Sequence, residues 1–130
     1  MRYEEKQSIS KARIANAESC LHAAKCLYEI EEYKSAANRC YYTIFHAMRA
    51  VLAMDGIDMK HHAGVISEFR RLYIKTHCFD ESLSTIISSL FDMRTDSDYD
   101  DFYVLSKTAV AAAVTDADFF LRSVKTYLKY

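Results

Sequence analysis

The amino-acid sequence predicts an all-α fold, an up-and-down antiparallel bundle of about five helices. Three observations lead to it. Among 130 residues there is no proline, and the only glycines are Gly56 and Gly64. Hairpins and tight turns draw on those residue types, so a sheet-rich fold is disfavoured. Apolar residues recur at three-and-four spacing along most of the chain, which marks helix faces. The stretches between those faces are short, and short links between long helices favour antiparallel neighbours.

The first helix is expected from about Ser8 or Ser10 to Glu31, with Ala17, Cys20, Leu21, Ala24, Leu27 and Tyr28 on one face. The second is expected from about Glu32 to Met54. Its stripe holds Tyr33, Ala37, Cys40, Tyr41, Ile44, Met48, Val51 and Leu52. It is apolar around much of its girth, so it should be the central helix. Asp55-Gly56 should end it, with Gly56 in the left-handed cap. The third helix spans roughly Ala63 to Thr76, with Val65, Ile66, Phe69, Leu72 and Tyr73 facing inward. Asp80 is the expected N-cap of the fourth, whose stripe is Leu83, Ile86, Ile87, Leu90 and Phe91. Ser106 should cap the fifth, which runs nearly to Tyr130. Its inward residues are Val110, Ala113, Val114, Ala117, Phe120, Leu121, Val124, Tyr127 and Leu128. The length fits a single domain covering residues 1–130.

Composition narrows the function classes. The formal net charge of −1 supplies no global basic field, so any nucleic-acid contact must come from a local patch. Cys20, Cys26, Cys40 and Cys78 match no zinc spacing and no CxxC pair. They are expected to be buried free thiols in a reducing cytoplasm. No secretory signal opens the chain and no run of about 18 apolar residues crosses a membrane. There is no Gly-rich phosphate loop, no GxSxG elbow and no HExxH. The pattern implies no cofactor and no metal.

Four features depart from a plain bundle. Arg94 falls where the fourth stripe should continue after Leu83, Ile87 and Leu90, with Asp98 one turn later on the same face. A charge on an inward stripe is costly unless paired, so the stripe frays into an Arg94–Asp98 pair or opens on a cleft or interface. Asp96, Asp98, Asp100 and Asp101 cluster where the fourth helix should end. Carboxylates are unfavourable at a helix carboxyl end, so the helix either stops near Arg94 or runs one more turn. The acidic run reads as a solvated loop, or as a metal or partner site, although it lacks a calcium loop's glycine and distal glutamate. Arg39, Tyr42, His46 and Arg49 share one face of the second helix, either as an anion- and base-gripping strip or as a core histidine among solvated charges. Lys60-His61-His62 precedes the third helix. Adjacent histidines on a helix point about 100° apart, so His62 is expected to cap or pack, or to flank an anion at the helix amino end.

Three segments together resemble a prokaryotic branch of the HEPN family. Ala37-Asn38-Arg39-Cys40-Tyr41-Tyr42-Thr43-Ile44-Phe45-His46-Ala47 resembles its second helix. Lys60-His61-His62-Ala63-Gly64-Val65 resembles its His-x-Gly-Val turn, and Arg94-Thr95-Asp96-Ser97-Asp98-Tyr99 its arginine motif. Order and spacing hold from about residue 8 to the end.

The resemblance implies a dimerising helical bundle that works beside a minimal nucleotidyltransferase, often as the toxin of a toxin–antitoxin pair. Many members are metal-independent RNases, and others bind RNA or nucleotides. Arg94 matches the family's catalytic arginine, but Tyr99 stands where the following histidine is expected, and no histidine lies after Arg94. Metal-free RNA cleavage needs a base and an acid near neutrality, and tyrosine is a poor base there. Arg94, Asp98 and Tyr99 are the candidate catalytic set. Arg39, Tyr42, His46 and His62 are the candidate RNA- or nucleotide-binding set. The resemblance also implies Tyr99, or else Tyr103, as a tyrosine that a partner nucleotidyltransferase modifies with AMP. The alternative function is a non-catalytic, dimeric interaction module.

Overall fold

The structure, a computed structural model, describes residues 1–130 and contains five α-helices and no strand. They are α1 (Tyr3–Glu29), α2 (Tyr33–Met54), α3 (His62–Phe69), α4 (Ser82–Tyr99) and α5 (Lys107–Leu128). A π-helical turn, Arg70–Ile74, extends α3. The expected up-and-down bundle is present.

Helix α1 begins at Tyr3, so neither Ser8 nor Ser10 caps it. Glu4 and Glu5 occupy its first turn, where carboxylates suit the positive helix end. Ser10 instead lies buried inside the helix, its hydroxyl without a partner. The helix ends two residues before the expected Glu31, which takes a left-handed φ of 63° in the connection to α2.

Helix α2 packs against α1, α3, α4 and α5, as its broad apolar surface predicts. Tyr41, Ile44, Met48 and Leu52 are fully buried. Gly56 closes its end at φ 73°. Beyond it, the Tyr73 hydroxyl donates to Asp55 Oδ2 and ties the π turn to the end of α2.

The expected third helix changes character at Arg70. Lys75 N–H donates to Arg70 O at 2.9 Å, a five-residue step. The widened turn turns Phe69, Tyr73 and Ile74 all into the core, while Leu72 is only half-buried. Asp80 caps α4 from one residue further out than expected, its carboxylate accepting from Ser82 N–H at 2.9 Å. Helix α4 does not stop at Arg94. It carries Asp96 and Asp98 to Tyr99, so only Asp100 and Asp101 of the acidic run lie outside a helix. No three His, Cys, Asp or Glu side chains converge there or elsewhere in metal-holding geometry.

Ser106 caps α5 as expected, accepting from Ala109 N–H at 3.0 Å. Phe120, Val110 and Val124 are fully buried. Tyr127 is a correction to the inward stripe: it is 41% exposed, with its ring against Phe79. The cysteines divide as well. Cys20 and Cys40 are buried, whereas Cys26 and Cys78 are exposed, because their positions fall off the apolar faces. No helix is long and apolar enough to cross a membrane.

Phe120 packs on Phe69 within the main core, with ring centroids 5.8 Å apart. Phe120→Ala should lower unfolding free energy by about 3–5 kcal/mol, read from urea denaturation with an unchanged slope.

Candidate functional site

The outward strip of α2 is the chemically distinctive surface. Helical spacing aligns Arg39, Tyr42, His46 and Arg49 along it, all half-buried. Helix α1 contributes Cys20 and Arg13, and α4 contributes Arg94 and Asp98. His62 arrives from the first residue of α3.

Tyr42 is the hub. The Arg39 guanidinium lies 5.0 Å from its ring centroid and the Arg94 guanidinium 5.5 Å. The His46 ring is 6.1 Å away and the His62 ring 5.8 Å. Cations over aromatic faces are held by the ring quadrupole, so both arginines are oriented before any ligand arrives.

Arg94 is the interior charge that the sequence flagged, and its side chain is only 23% exposed. It lies 5.4 Å from the Tyr41 centroid as well, between two tyrosines. Its Nε is 3.1 Å from Asp98 Oδ2, close enough for an ion pair but off the line of a hydrogen bond, so the buried Nε–H has no acceptor. Its Nη2 makes one long contact, donating to Tyr42 Oη at 3.5 Å. A guanidinium has five N–H donors, so most of this one's capacity is unused. The ion pair, with Asp98 38% exposed, contributes only a few tenths of a kcal/mol, about the usual value for an i,i+4 pair.

Arg39, unlike Arg94, has no carboxylate partner. Its hydrogen bonds run to Asn38 Oδ1, the shorter at 2.7 Å, and to Cys20 Sγ. Arg13 and Arg49 differ: both are held on Asp58, at 2.7 and 3.1 Å. A shallow depression of about 300 Å³ continues the strip past Arg39, between Leu27, Lys34 and Asp98.

Tyr41, on the inward stripe of α2, carries a second role. The buried phenol lies 2.7 Å from His62 Nδ1. Burial pushes its pKa up to about 12, against the opposing field of Arg94, so it stays protonated at neutral pH. The buried hydroxyl has no other acceptor in reach, so it donates to Nδ1, which leaves the proton of neutral His62 on Nε2. Phe45 stacks on the same imidazole at 4.3 Å. His62 is thus a packed histidine, as one sequence reading had it, and also a donor beside the guanidinium. The signal for Tyr41 was its place in the tyrosine pair.

Both imidazoles are held neutral. Burial, then Arg94 and His61, lowers the pKa of His62. Burial, then Arg49, Arg39 and Arg13, lowers that of His46. His46 Nδ1 is buried without a partner, so it is not a satisfied core histidine.

Of the candidates, the structure brings together Arg39, Tyr42, His46, His62, Arg94 and Asp98. It does not bring Tyr99. Five residues after Arg94, Tyr99 points to another side of α4 and is 83% exposed. Tyr103 is half-buried beside Leu105 and Ala36.

The family model described as "HEPN domain" matches residues 10–127. The chain belongs to the HEPN family. Among relatives of this HEPN domain, a Methanocaldococcus jannaschii protein named "Putative toxin MJ0142" is 33% identical over 115 residues, covering 88% of this chain and 78% of the relative. A second protein of that organism, "Putative toxin MJ0605", is 33% identical over 92% of this chain and 88% of its own length. A Thermotoga maritima "UPF0332 protein" is 29% identical over 96% of this chain and 95% of its own.

The lowered histidine pKa values make stability pH-dependent. The unfolded chain protonates its histidines near pH 6.5, whereas folded His46 and His62 resist protonation to lower pH. Between those values the unfolded state binds more protons, so stability is complete above about pH 7 and falls as pH drops through 6.5 and below. Urea unfolding at pH 7.5 and 5.5 should show the loss, and His46→Gln with His62→Gln should flatten it.

Proposed function

We propose that this HEPN domain binds RNA or a nucleotide along the α2 strip, as a homodimeric, toxin-type protein working with a minimal nucleotidyltransferase partner. The observation that carries the reading is Arg94, a guanidinium oriented by Tyr41 and Tyr42 with most of its donors unused. Such a group is ready for a phosphate, which can take two parallel N–H···O bonds from it. Arg39 offers a second cation, one with no carboxylate partner, against the same Tyr42 ring. Tyr42 gives a base a ring to stack on, and His62 Nε2–H adds a neutral donor. Two relatives carry the name "Putative toxin".

The geometry supports binding more directly than cleavage. Asp98 faces Arg94, which occupies its carboxylate. His62 Nδ1 is taken by Tyr41, so that imidazole donates and does not accept. His46 is neutral, but its unpartnered Nδ1 is buried, so a base role toward a 2′-hydroxyl would fall to its Nε2. If the strip cuts RNA, His46 is the base and Arg94 stabilises the charge on phosphorus.

Arg94→Ala should weaken single-stranded RNA or nucleotide binding at least about tenfold. It should also reduce the salt slope of log K by about 0.7 for RNA, since one phosphate contact is lost. Fluorescence anisotropy from low to moderate salt measures both, with a circular-dichroism melt to show that the domain stays folded. Unchanged affinity would remove this reading. A lower size-exclusion mass for Arg94→Ala and Asp98→Ala, with no ligand bound by the wild type, would instead establish the interaction-module reading.

Tyr99 has a separate place in the proposal. Its phenol is accessible on the surface, as an acceptor of a transferred adenylate must be. Incubation with ATP and a cognate nucleotidyltransferase should add one AMP to the intact mass, and Tyr99→Phe should abolish the gain.

A further inference from the structure

A groove of about 550 Å³ runs between α3 with its π turn and α4. No residue of the α2 strip lines it. The two adjoin through Phe91, which lies in the groove and packs on Tyr41 with ring centroids 5.8 Å apart. The volume falls within the roughly 300–1,000 Å³ of ordinary small-molecule sites.

The lining has an apolar part and a cationic part. Ile66, Ile87 and Phe91 make a floor. Ile66 and Ile87 belong to the main core, so that floor is closely packed from below. Arg70, Arg71 and Lys75 stand around it. Acids reduce this charge without cancelling it. Glu68 pairs with Arg71 at 2.9 Å and Asp92 lies on the rim, which leaves an excess of one positive charge.

The π turn gathers the cations. In a regular helix Lys75 would lie about 140° around the axis from Arg70. Its N–H instead donates to Arg70 O, five residues back, so the turn is wider and the two residues come closer to one face. Arg70 is then fixed from α4. Its Nε donates to Ser84 Oγ and its Nη2 to Ser84 O, both at 3.0 Å, and Nη2 also donates to Ser88 Oγ at 2.6 Å. All these acceptors are neutral, and Nη1 bonds to nothing on the chain, so a positioned guanidinium keeps its charge and a free donor nitrogen. Ser88 Oγ makes no other hydrogen bond, so its own proton is available as well. Donors held in place beside a packed apolar floor lower the ordering cost of binding.

We propose that the α3–α4 groove binds a small organic acid, a molecule with an apolar body and a single carboxylate. The body lies on Ile66, Ile87 and Phe91. The carboxylate accepts from Arg70 Nη1 and Ser88 Oγ, with Lys75 beside it. An excess of one positive charge suits a monoanion, whereas a dianion would bring unbalanced negative charge close to Asp92. This site is separate from the α2 strip and does not rest on the RNA or nucleotide reading.

The test uses the whole chain and two fluorescent dyes, anilinonaphthalene sulfonate, which carries an acid group, and N-phenyl-naphthylamine, which lacks one. The sulfonate dye should bind with Kd below about 1 mM, and decanoate should displace it. Ser67→Trp sets a large ring in the groove from an exposed position on α3 and should weaken the sulfonate dye at least about tenfold. Lys75→Glu, also exposed, should weaken it at least about threefold and leave the neutral dye unchanged. Circular-dichroism melts show that both variants stay folded. Absence of binding, dye that decanoate fails to displace, or binding that Ser67→Trp leaves intact overturns the site. Lys75→Glu that spares the sulfonate dye, or weakens both dyes alike, overturns the organic acid as its ligand.

Discussion

The hydrogen bond between the buried Tyr41 phenol and His62 Nδ1 is the constraint on which the site depends. It joins the middle of α2 to the first residue of α3. A phenol buried without a partner would cost about 1–3 kcal/mol, so the histidine is held where the hydroxyl needs an acceptor. The same tyrosine presents its ring to Arg94 from α4. Three helices thus meet at one side chain, and the guanidinium is oriented by residues that the core itself immobilises. Preorganisation of this kind lowers the ordering cost that a ligand would otherwise meet.

The charges on the strip divide into spent and unspent. Arg13 and Arg49 converge on Asp58 and serve to join α1, the end of α2 and the following turn. Arg39 has no carboxylate partner and bonds to the neutral Asn38, and Arg94 has only the partly exposed Asp98; both guanidinium groups lie against Tyr42. Burial first, and then the four nearby arginines, keep His46 and His62 neutral, so the strip's positive charge is carried by groups that do not titrate near neutrality. The strip's charge is therefore nearly constant above pH 7, and it is a local field in a chain whose total charge is near zero.

Periodicity was sufficient for the helices because each buries one continuous stripe, and that stripe is written in the order of residues. Ser106 and Gly56 were legible for the same local reason: a cap and a left-handed turn depend on immediate neighbours. Ser8 and Ser10 misled, since a serine within a helix looks like a serine before one, and the acidic first turn at Glu4 and Glu5 was the better signal. The acidic run also misled. The helix dipole disfavours Asp96 and Asp98, yet α4 continues to Tyr99, with Arg94 one turn back paired to Asp98.

By itself, then, the sequence determined the all-α bundle, the central place of α2, and the choice of Arg94, Arg39, Tyr42, His46 and His62 as residues out of keeping with a plain core. Only the tertiary structure decided which of them meet. It brought His62 to Arg94 through Tyr41, left Tyr99 outside, and divided the cysteines into buried and exposed pairs. The physical reason is separation along the chain. Tyr41 and His62 are 21 residues apart and Tyr42 and Arg94 are 52 apart, so their contacts follow from how helices pack and not from the spacing within any one helix.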